Sequence, residues 1–280
     1  SVSGYKTPAQ QSFTANEASL TYNGEYQTSI VTVSVVTNQS THTDVASASI
    51  TAKGTTVRAT LTTGKTVKVP YGESVKFTGA AVNGYTTPSA ETYVGADASK
   101  TVTLTYSTTV VTVKMADNQT DYNDIANATA SVAASGMTTV SVKNNGTAKV
   151  PTGATCTITW SAVSGYKTPD KQTFTTSGTS VSKTGTYQTE ILTVNVTSDF
   201  DLPSSYMVTV SGIGSQTTAS KVYKVPFGTS YTVSATAADG YKKVEDQTFT
   251  ASQASRIVSV VYYEKPIELP SITGATDLSR

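Results

Sequence analysis

The sequence predicts an all-β protein, a tandem series of immunoglobulin-like (prealbumin-like) β-sandwich modules in an elongated array. Three observations carry that expectation. Paired sequence markers recur at a nearly constant spacing, apolar residues alternate with polar ones over short runs, and Thr, Ser, Val, Ala, Gly and Tyr dominate the composition. Such a composition suits half-buried pleated strands joined by polar turns and gives helices little support.

The repeat is set by two markers. Gly-Tyr recurs at Gly4-Tyr5, Gly84-Tyr85, Gly165-Tyr166 and Gly240-Tyr241, at offsets of 80, 81 and 75. Val-Pro followed two residues later by Gly recurs at Val69-Pro70, Val150-Pro151 and Val225-Pro226, offset by 81 and 75. Two markers in one register define a unit that folds on itself and is copied in series.

Each unit opens on a strand (IVTVSVV, VVTVKMA, ILTVNV) and continues through Val-Pro-x-Gly into a second clear strand. There Val75 and Phe77, or Tyr231 and Val233, face one way while Ser74, Lys76, Thr232 and Ser234 face the other, the period-2 pattern of a half-buried strand. Gly-Tyr then makes a turn, followed by a Thr-rich strand with an aromatic anchor (Phe13, Tyr93, Phe174, Phe249) and a closing strand such as TVTLTYST or RIVSVVYYE. Boundaries fall at Gln27/Thr28, Thr108/Thr109 and Thr189/Glu190. They give sandwich repeats over 29–108, 109–189 and 190–265, and an extended tail or linker over 266–280. Linkers this short, without Gly/Ser-rich tethers, predict stiff joints and a semi-rigid rod.

Residues 1–28 match only the second half of a unit: VSGYKTP and QSFT align with VSGYKTP and QTFT at an offset of 161. They read as the C-terminal half of an incomplete sandwich, either a piece of a longer array or a module completed by a strand from another chain. In the tail, Ile267, Leu269 and Ile272, flanked by Pro266 and Pro270, fit an extended donor segment or a linker. The prolines confine any such strand to a sheet edge.

Reaction chemistry has no visible machinery. His42 is the only histidine and Cys156 the only cysteine, so nucleophile and base pairs and zinc sites lack their residue types, and no phosphate-cradling loop is present. No catalytic residue and no cofactor are expected. Cys156 alternates with Ile158 and Trp160 in TCTITW and reads as core. Net charge is +1 with 14% charged residues, too little positive field for nucleic acid, and no apolar run is long enough for a membrane span. The oxygen-rich loop with Asp117, Asp121, Asn123 and Asp124 is the best candidate for a hard cation such as calcium, without EF-hand spacing. Asp44 and Asp124 fall at matching places and suit a turn or hydrogen-bonding role, and the in-register tyrosines suit packing with a locally satisfied hydroxyl. His42, Tyr122 and Phe200, on loops that differ between units, are the candidate ligand loops for a glycan or protein target. The Asn-x-Ser/Thr triplets carry no reading in so Thr-rich a chain.

The run Val-Pro-x-Gly-x-Ser, then Gly-Tyr, then Gln-Thr-Phe-Thr and a closing strand ending in Tyr resembles the repeat modules of bacterial surface proteins. It is similar to PEGA-like, carboxypeptidase regulatory-like and Cna-B-like sandwiches, as found in Bacteroidetes surface proteins and the fibres of their phages. The resemblance implies a structural stalk or adhesive spacer outside the cytoplasm, displayed on the cell surface, with neighbouring modules of the same protein as its first partners. A phage virion fibre or tail component, a strand-exchanging pilus-like polymer and a carbohydrate-binding array are the alternatives. Cna-B-like modules can carry a Lys-to-Asn isopeptide bond. Here Lys114 is the one opening-strand lysine and the closing strands hold no Asn, so no crosslink is expected.

Overall fold

The structure is a computed structural model that describes residues 1–267 apart from 17, 41–42, 97–98 and 119–122. Among the described residues there are twenty-one strands, one short 3₁₀ turn at Asn123–Ile125 and no α-helix. The fold is an all-β, immunoglobulin-type sandwich in which one seven-strand pattern occurs three times.

In the first occurrence β1 (Ser29–Thr37) lies between β4 (Thr66–Val69) and β7 (Ser99–Tyr106) in a three-stranded sheet. The four-stranded sheet runs β3 (Arg58–Leu61), β2 (Ile50–Lys53), β5 (Ser74–Gly79), β6 (Glu91–Val94). β1 is antiparallel to β4 but parallel to β7. The second occurrence uses β8 (Thr108–Asp117), β9 (Ala130–Ala134), β10 (Val140–Val142), β11 (Thr147–Pro151), β12 (Thr155–Trp160), β13 (Gln172–Thr175) and β14 (Ser180–Tyr187). Its sheets run β11-β8-β14 and β10-β9-β12-β13. The third uses β15 (Glu190–Ser198), β16 (Val208–Val210), β17 (Gly214–Gln216), β18 (Ser220–Val225), β19 (Ser230–Ala235), β20 (Gln247–Thr250) and β21 (Ser255–Tyr262), in sheets β18-β15-β21 and β17-β16-β19-β20.

Alternation puts the cores where the sequence placed them. In β5 the burial pattern alternates strictly, with Val75 and Phe77 inside, and they join Val31, Val33, Ile50 and Leu104 in one cluster. Tyr231 and Val233 do the same in the third sandwich with Leu192, Val194 and Val260. Cys156, Ile158 and Trp160 are all buried on one face of β12, and burial pushes the Cys156 thiol pKa up. The aromatic anchors sit shallower than expected. Phe174 and Phe249 are half-buried with Lys183 and Arg256 over their rings at 4.5 and 4.7 Å, on β13 and β20, which are the edge strands of their four-stranded sheets.

By residue contacts the chain forms two compact units. The first is Ser1–Met115, Asn127–Ser161 and Asp170–Gly185; the second is Ala116–Ala126, Ala162–Pro169 and Thr186–Arg280. The division runs through the middle repeat, whose loop 116–126 and Gly165-Tyr166 turn group with the third.

Residues 1–28 differ from expectation in detail. Lys6 N–H donates to Gln27 O at 2.8 Å, as Lys167 does to Gln188, but QSFT forms no strand, and Phe13 is 60% exposed, stacked on Tyr22 at 4.5 Å. Strands β13 and β14 are held by β12 and β8, and among the described residues no strand pairs in that way with residues 9–26. Of the candidate donor segment, Ile267 is exposed, and Leu269 and Ile272 lie outside the described residues.

Candidate functional site

All four Gly-Tyr turns share one construction. The glycine takes positive φ (77°, 80°, 79° and 82°), which L side chains rarely adopt. The tyrosine N–H donates three residues back, to Val2, Val82, Val163 and Ala238 carbonyls at 3.1 to 3.2 Å. Each ring then meets the tyrosine that ends the closing segment edge-on: Tyr5 with Tyr26, Tyr85 with Tyr106, Tyr166 with Tyr187 and Tyr241 with Tyr262, at centroid distances of 6.5, 6.5, 6.3 and 5.9 Å. This geometry is favourable for ring quadrupoles and turns the hydroxyl toward the end of the sandwich.

Three of those turns receive a lysine from the Lys-Val-Pro-x-Gly segment of the repeat that follows. Lys68 donates to the Tyr5 hydroxyl and lies 4.2 Å above its ring, while Tyr71 N–H donates to Gly4 O at 2.8 Å. At the second turn, the Tyr85 hydroxyl donates to Asp44 Oδ1 at 2.8 Å and Lys149 Nζ to Asp44 Oδ2 at 2.6 Å. At the third, the Tyr166 hydroxyl donates to Asp117 Oδ2 at 2.8 Å, with Asp124 Oδ2 as the alternative acceptor at 3.1 Å, and Lys224 binds Asp124 and Tyr166 from 4.7 Å above the ring. Flat backbone lets the segment in: a Cβ on Gly84 would fall 2.8 Å from Lys149 O, and one on Gly165 3.3 Å from Pro226 Cβ.

The charges answer one another. Partial burial pushes the Asp44 carboxyl up, but hydrogen bonds from Lys149 and Tyr85 outweigh it and hold the group below its ordinary value. Hydrogen bonds from Lys224 and Tyr166 depress Asp124. Desolvation, then Asp44, raises Tyr85 well above the ordinary phenol. Desolvation also lifts Tyr166 to about 12, Lys224 opposing while Asp117 and Asp124 add to it.

A second device pins the connecting residue. Asn38 Nδ2 donates to Thr108 O at 2.9 Å and its Oδ1 accepts from Thr108 N–H at 2.9 Å; Asn118 does the same to Thr189 at 2.8 and 2.9 Å. One side chain thus satisfies both backbone groups of a residue at the junction of a closing and an opening strand. The third device is a buried polar residue at the start of each opening strand. Ser29 Oγ accepts from Ala96 N–H, Thr109 Oγ1 donates to Gly178 O, and Glu190 accepts from Ser252 and Gln253 N–H, Tyr231 Oη and Arg256 Nε.

The structure places the sequence candidates unevenly. Asp117 and Asp124, two of the calcium candidates, come together on Tyr166 and Lys224, so a cation would have to displace an ammonium already bound. Asn123 starts the 3₁₀ turn, and Asp121 lies outside the described residues. Among the described residues no three His, Cys, Asp or Glu side chains form a metal-binding group. His42 and Tyr122 lie outside the described residues; Phe200 follows β15 and is 77% exposed. Lys114 is exposed on β8. Among the described residues no helix is long and apolar enough to cross a membrane.

Sequence reasoning missed Lys68, Lys149 and Lys224, although each directly precedes the Val-Pro marker. Reading that marker as Lys-Val-Pro-x-Gly would have found them. It also passed over Asn38 and Asn118, whose amides are committed to backbone.

The fold and its joints define an immunoglobulin-type sandwich protein in which the ion pairs Lys149–Asp44 and Lys224–Asp124 join successive repeats. No family model and no curated protein matches the chain. Among solved structures it is similar to the Bacillus anthracis TIE protein (15% identity, TM-score 0.30, covering 86% of this chain and 51% of that one). It is also similar to the pilus adhesin SpaC of Lactobacillus rhamnosus GG (14%, 0.33, covering 87% and 44%) and to a Streptococcal ancillary pilin (11%, 0.25, covering 86% and 99%). The chain spans about half the length of the first two.

Proposed function

We propose that the chain is a structural spacer, a series of sandwich repeats held in fixed register within a larger extracellular surface protein and catalysing no reaction. One observation carries the reading: the Tyr-Asp-Lys contact recurs at equivalent places, as Tyr85, Asp44 and Lys149 and again as Tyr166, Asp117, Asp124 and Lys224, and each time it joins one repeat to the next. Short connections stapled by Asn38 and Asn118 serve the same end, since a joint fixed by several directional contacts transmits orientation where a free linker would not. Surface display is what the resemblance to bacterial surface repeats adds.

The reading is tested by residual dipolar couplings on the full chain. Strands β1–β7 and β8–β14 are expected to report a single alignment tensor. The double variant Asn38→Ala, Lys149→Met is expected to give two. Two tensors already in the unaltered chain would overturn the spacer reading.

A further inference from the structure

The Gly240-Tyr241 turn is built in the frame of the other three, but among the described residues no lysine bonds its tyrosine. Lys265 N–H donates to Gly240 O at 2.8 Å, the bond that Tyr71 supplies to Gly4 and Phe227 to Gly165 from the incoming segment, each at 2.8 Å, so a docking turn takes that bond over from Lys265. Asp199 N–H donates to Tyr262 O, as Asn38 does to Tyr106 O and Asn118 to Tyr187 O. Yet the Tyr241 hydroxyl donates to a backbone group, Asp201 O at 2.7 Å, and among the described residues no lysine bonds it or lies over its ring. Gly84 and Tyr85 are buried, whereas Gly240 is exposed and a Cβ on it would meet nothing within 4 Å among the described residues.

Four carboxylates and a hollow adjoin the turn, beside the exposed Lys242, Lys243 and Lys265. Asp199, Asp201, Asp239 and Glu264 are all exposed at this end. Desolvation first, then the Glu264, Asp201 and Asp199 carboxylates, raise the Tyr241 hydroxyl. A concavity of about 450 Å³ opens beside the ring, lined by Pro203, Ser204, Ser205, Ala238 and Asp239. Phe200 and Leu202, on the same loop as Asp201, are exposed.

We propose that the Gly240-Tyr241 end of the third repeat is a docking site for the Lys-Val-Pro-x-Gly turn of another repeat of this kind. Its lysine ammonium sits over Tyr241 among Asp199, Asp201 and Asp239, and its proline lies flat on Gly240. The occupant is identified by the chain's own precedents: Lys68, Lys149 and Lys224 fill the equivalent place, and Pro70 and Pro226 lie 3.2 and 3.3 Å from where a Cβ would stand on Gly4 and Gly165. A cation over an aromatic face with carboxylates beside it gains from both. The inference rests on reading the internal joints as couplings between repeats.

The test is a chain in which residues 190–264 are repeated once, directly after Glu264, with Tyr241 and Gly240 followed by NMR. Tyr241 ring and Gly240 amide signals are expected to move relative to the unextended chain, and Lys224→Met in the added copy alone is expected to return the Tyr241 signal to its original place. A folded added copy that leaves the Tyr241 signal unmoved, or moves it in a way that Lys224→Met in the added copy does not reverse, overturns the proposal. Should the added copy not fold, the unextended chain is titrated with a peptide of residues 220–230 and with its Lys224→Met form. At least fivefold tighter binding of the lysine peptide at Tyr241 supports the proposal, and equal or absent shifts overturn it. Lys224→Met in the original third repeat serves as control. If it leaves Tyr166 unperturbed the joint reading itself fails; if it perturbs Tyr166 while Tyr241 stays silent, only the docking site fails.

Discussion

The indole of Trp160 lies against the backbone of Gly185, so closely that a Cβ there would fall 2.5 to 2.6 Å from three ring carbons. The residues 81 positions earlier are Gly79 and Leu104, and those 75 later are Ala235 and Val260. Bulk thus moves from one facing strand to the other between repeats. In the first repeat the space over Gly79 is taken by the Tyr106 hydroxyl, which donates to Ala80 O at 2.6 Å.

Size compensation predicts coupling. Gly185→Leu beside an intact Trp160 should cost about 2–3 kcal/mol by overpacking, and Trp160→Gly alone about 3–5 kcal/mol through the cavity it leaves. The double variant should cost less than the sum by about 1–3 kcal/mol. Denaturant unfolding followed by circular dichroism measures all three, and strict additivity would count against the pairing.

Glu190 is fully buried, and Arg256 Nε reaches it at 3.0 Å. Removing the carboxylate in Glu190→Ala strands that guanidinium and two backbone N–H groups, at about 3–5 kcal/mol. Burial alone would raise the carboxyl, but Arg256, Tyr231 and the loop N–H groups hold it below the ordinary 4.5. A depressed folded pKa favours the fold in the ionised form. The contribution is therefore complete above the ordinary value of 4.5 and is lost as pH falls through the lower folded value. Melting temperature against pH should fall on acidification for the unaltered chain, with a shallower dependence in Glu190→Gln.

Asn118→Asp keeps the bond from Thr189 N–H and turns a carboxylate oxygen toward Thr189 O, which now accepts from Nδ2 at 2.8 Å. The expected loss at neutral pH is about 1–2 kcal/mol. It should shrink in acid as the carboxyl protonates and regains a donor, so a loss independent of pH would contradict the two-pronged bond.

Lys149 and Asp44 are 34% and 44% exposed, so Lys149→Met should cost only about 0.2–1 kcal/mol in global stability. The alkaline response is read at the other joint, at Tyr166, which Lys149 does not touch. That hydroxyl is raised from 10.0 to about 12. A raised folded value means stability complete below 10.0 and lost as pH climbs toward about 12. Tyr166→Phe should blunt that alkaline loss, read by melting temperature between those limits.

Strand identity and the face each residue presents were legible because they follow from period-2 alternation, a local property: Val75, Phe77, Tyr231 and Val233 are inside as their parity requires. The four Gly-Tyr turns were legible for the same reason, since a positive φ within a few residues of chain selects glycine without reference to anything distant. Asp44 and Asp124 could be matched by place and assigned a hydrogen-bonding role, but not given their partners.

What only the tertiary structure decided is who meets whom. Lys149 lies 105 residues from Asp44 and Lys224 100 from Asp124, and nothing in local pattern measures such separations. The Glu190 carboxylate in a buried position breaks the alternation rule, and only its four partners from distant segments make it tolerable. The sequence by itself therefore determined the strands, their faces and the turn glycines, because each depends on a few neighbouring dihedrals. Pairing across the repeats depended on bringing remote side chains within hydrogen-bond reach, and that is a property of the folded chain alone.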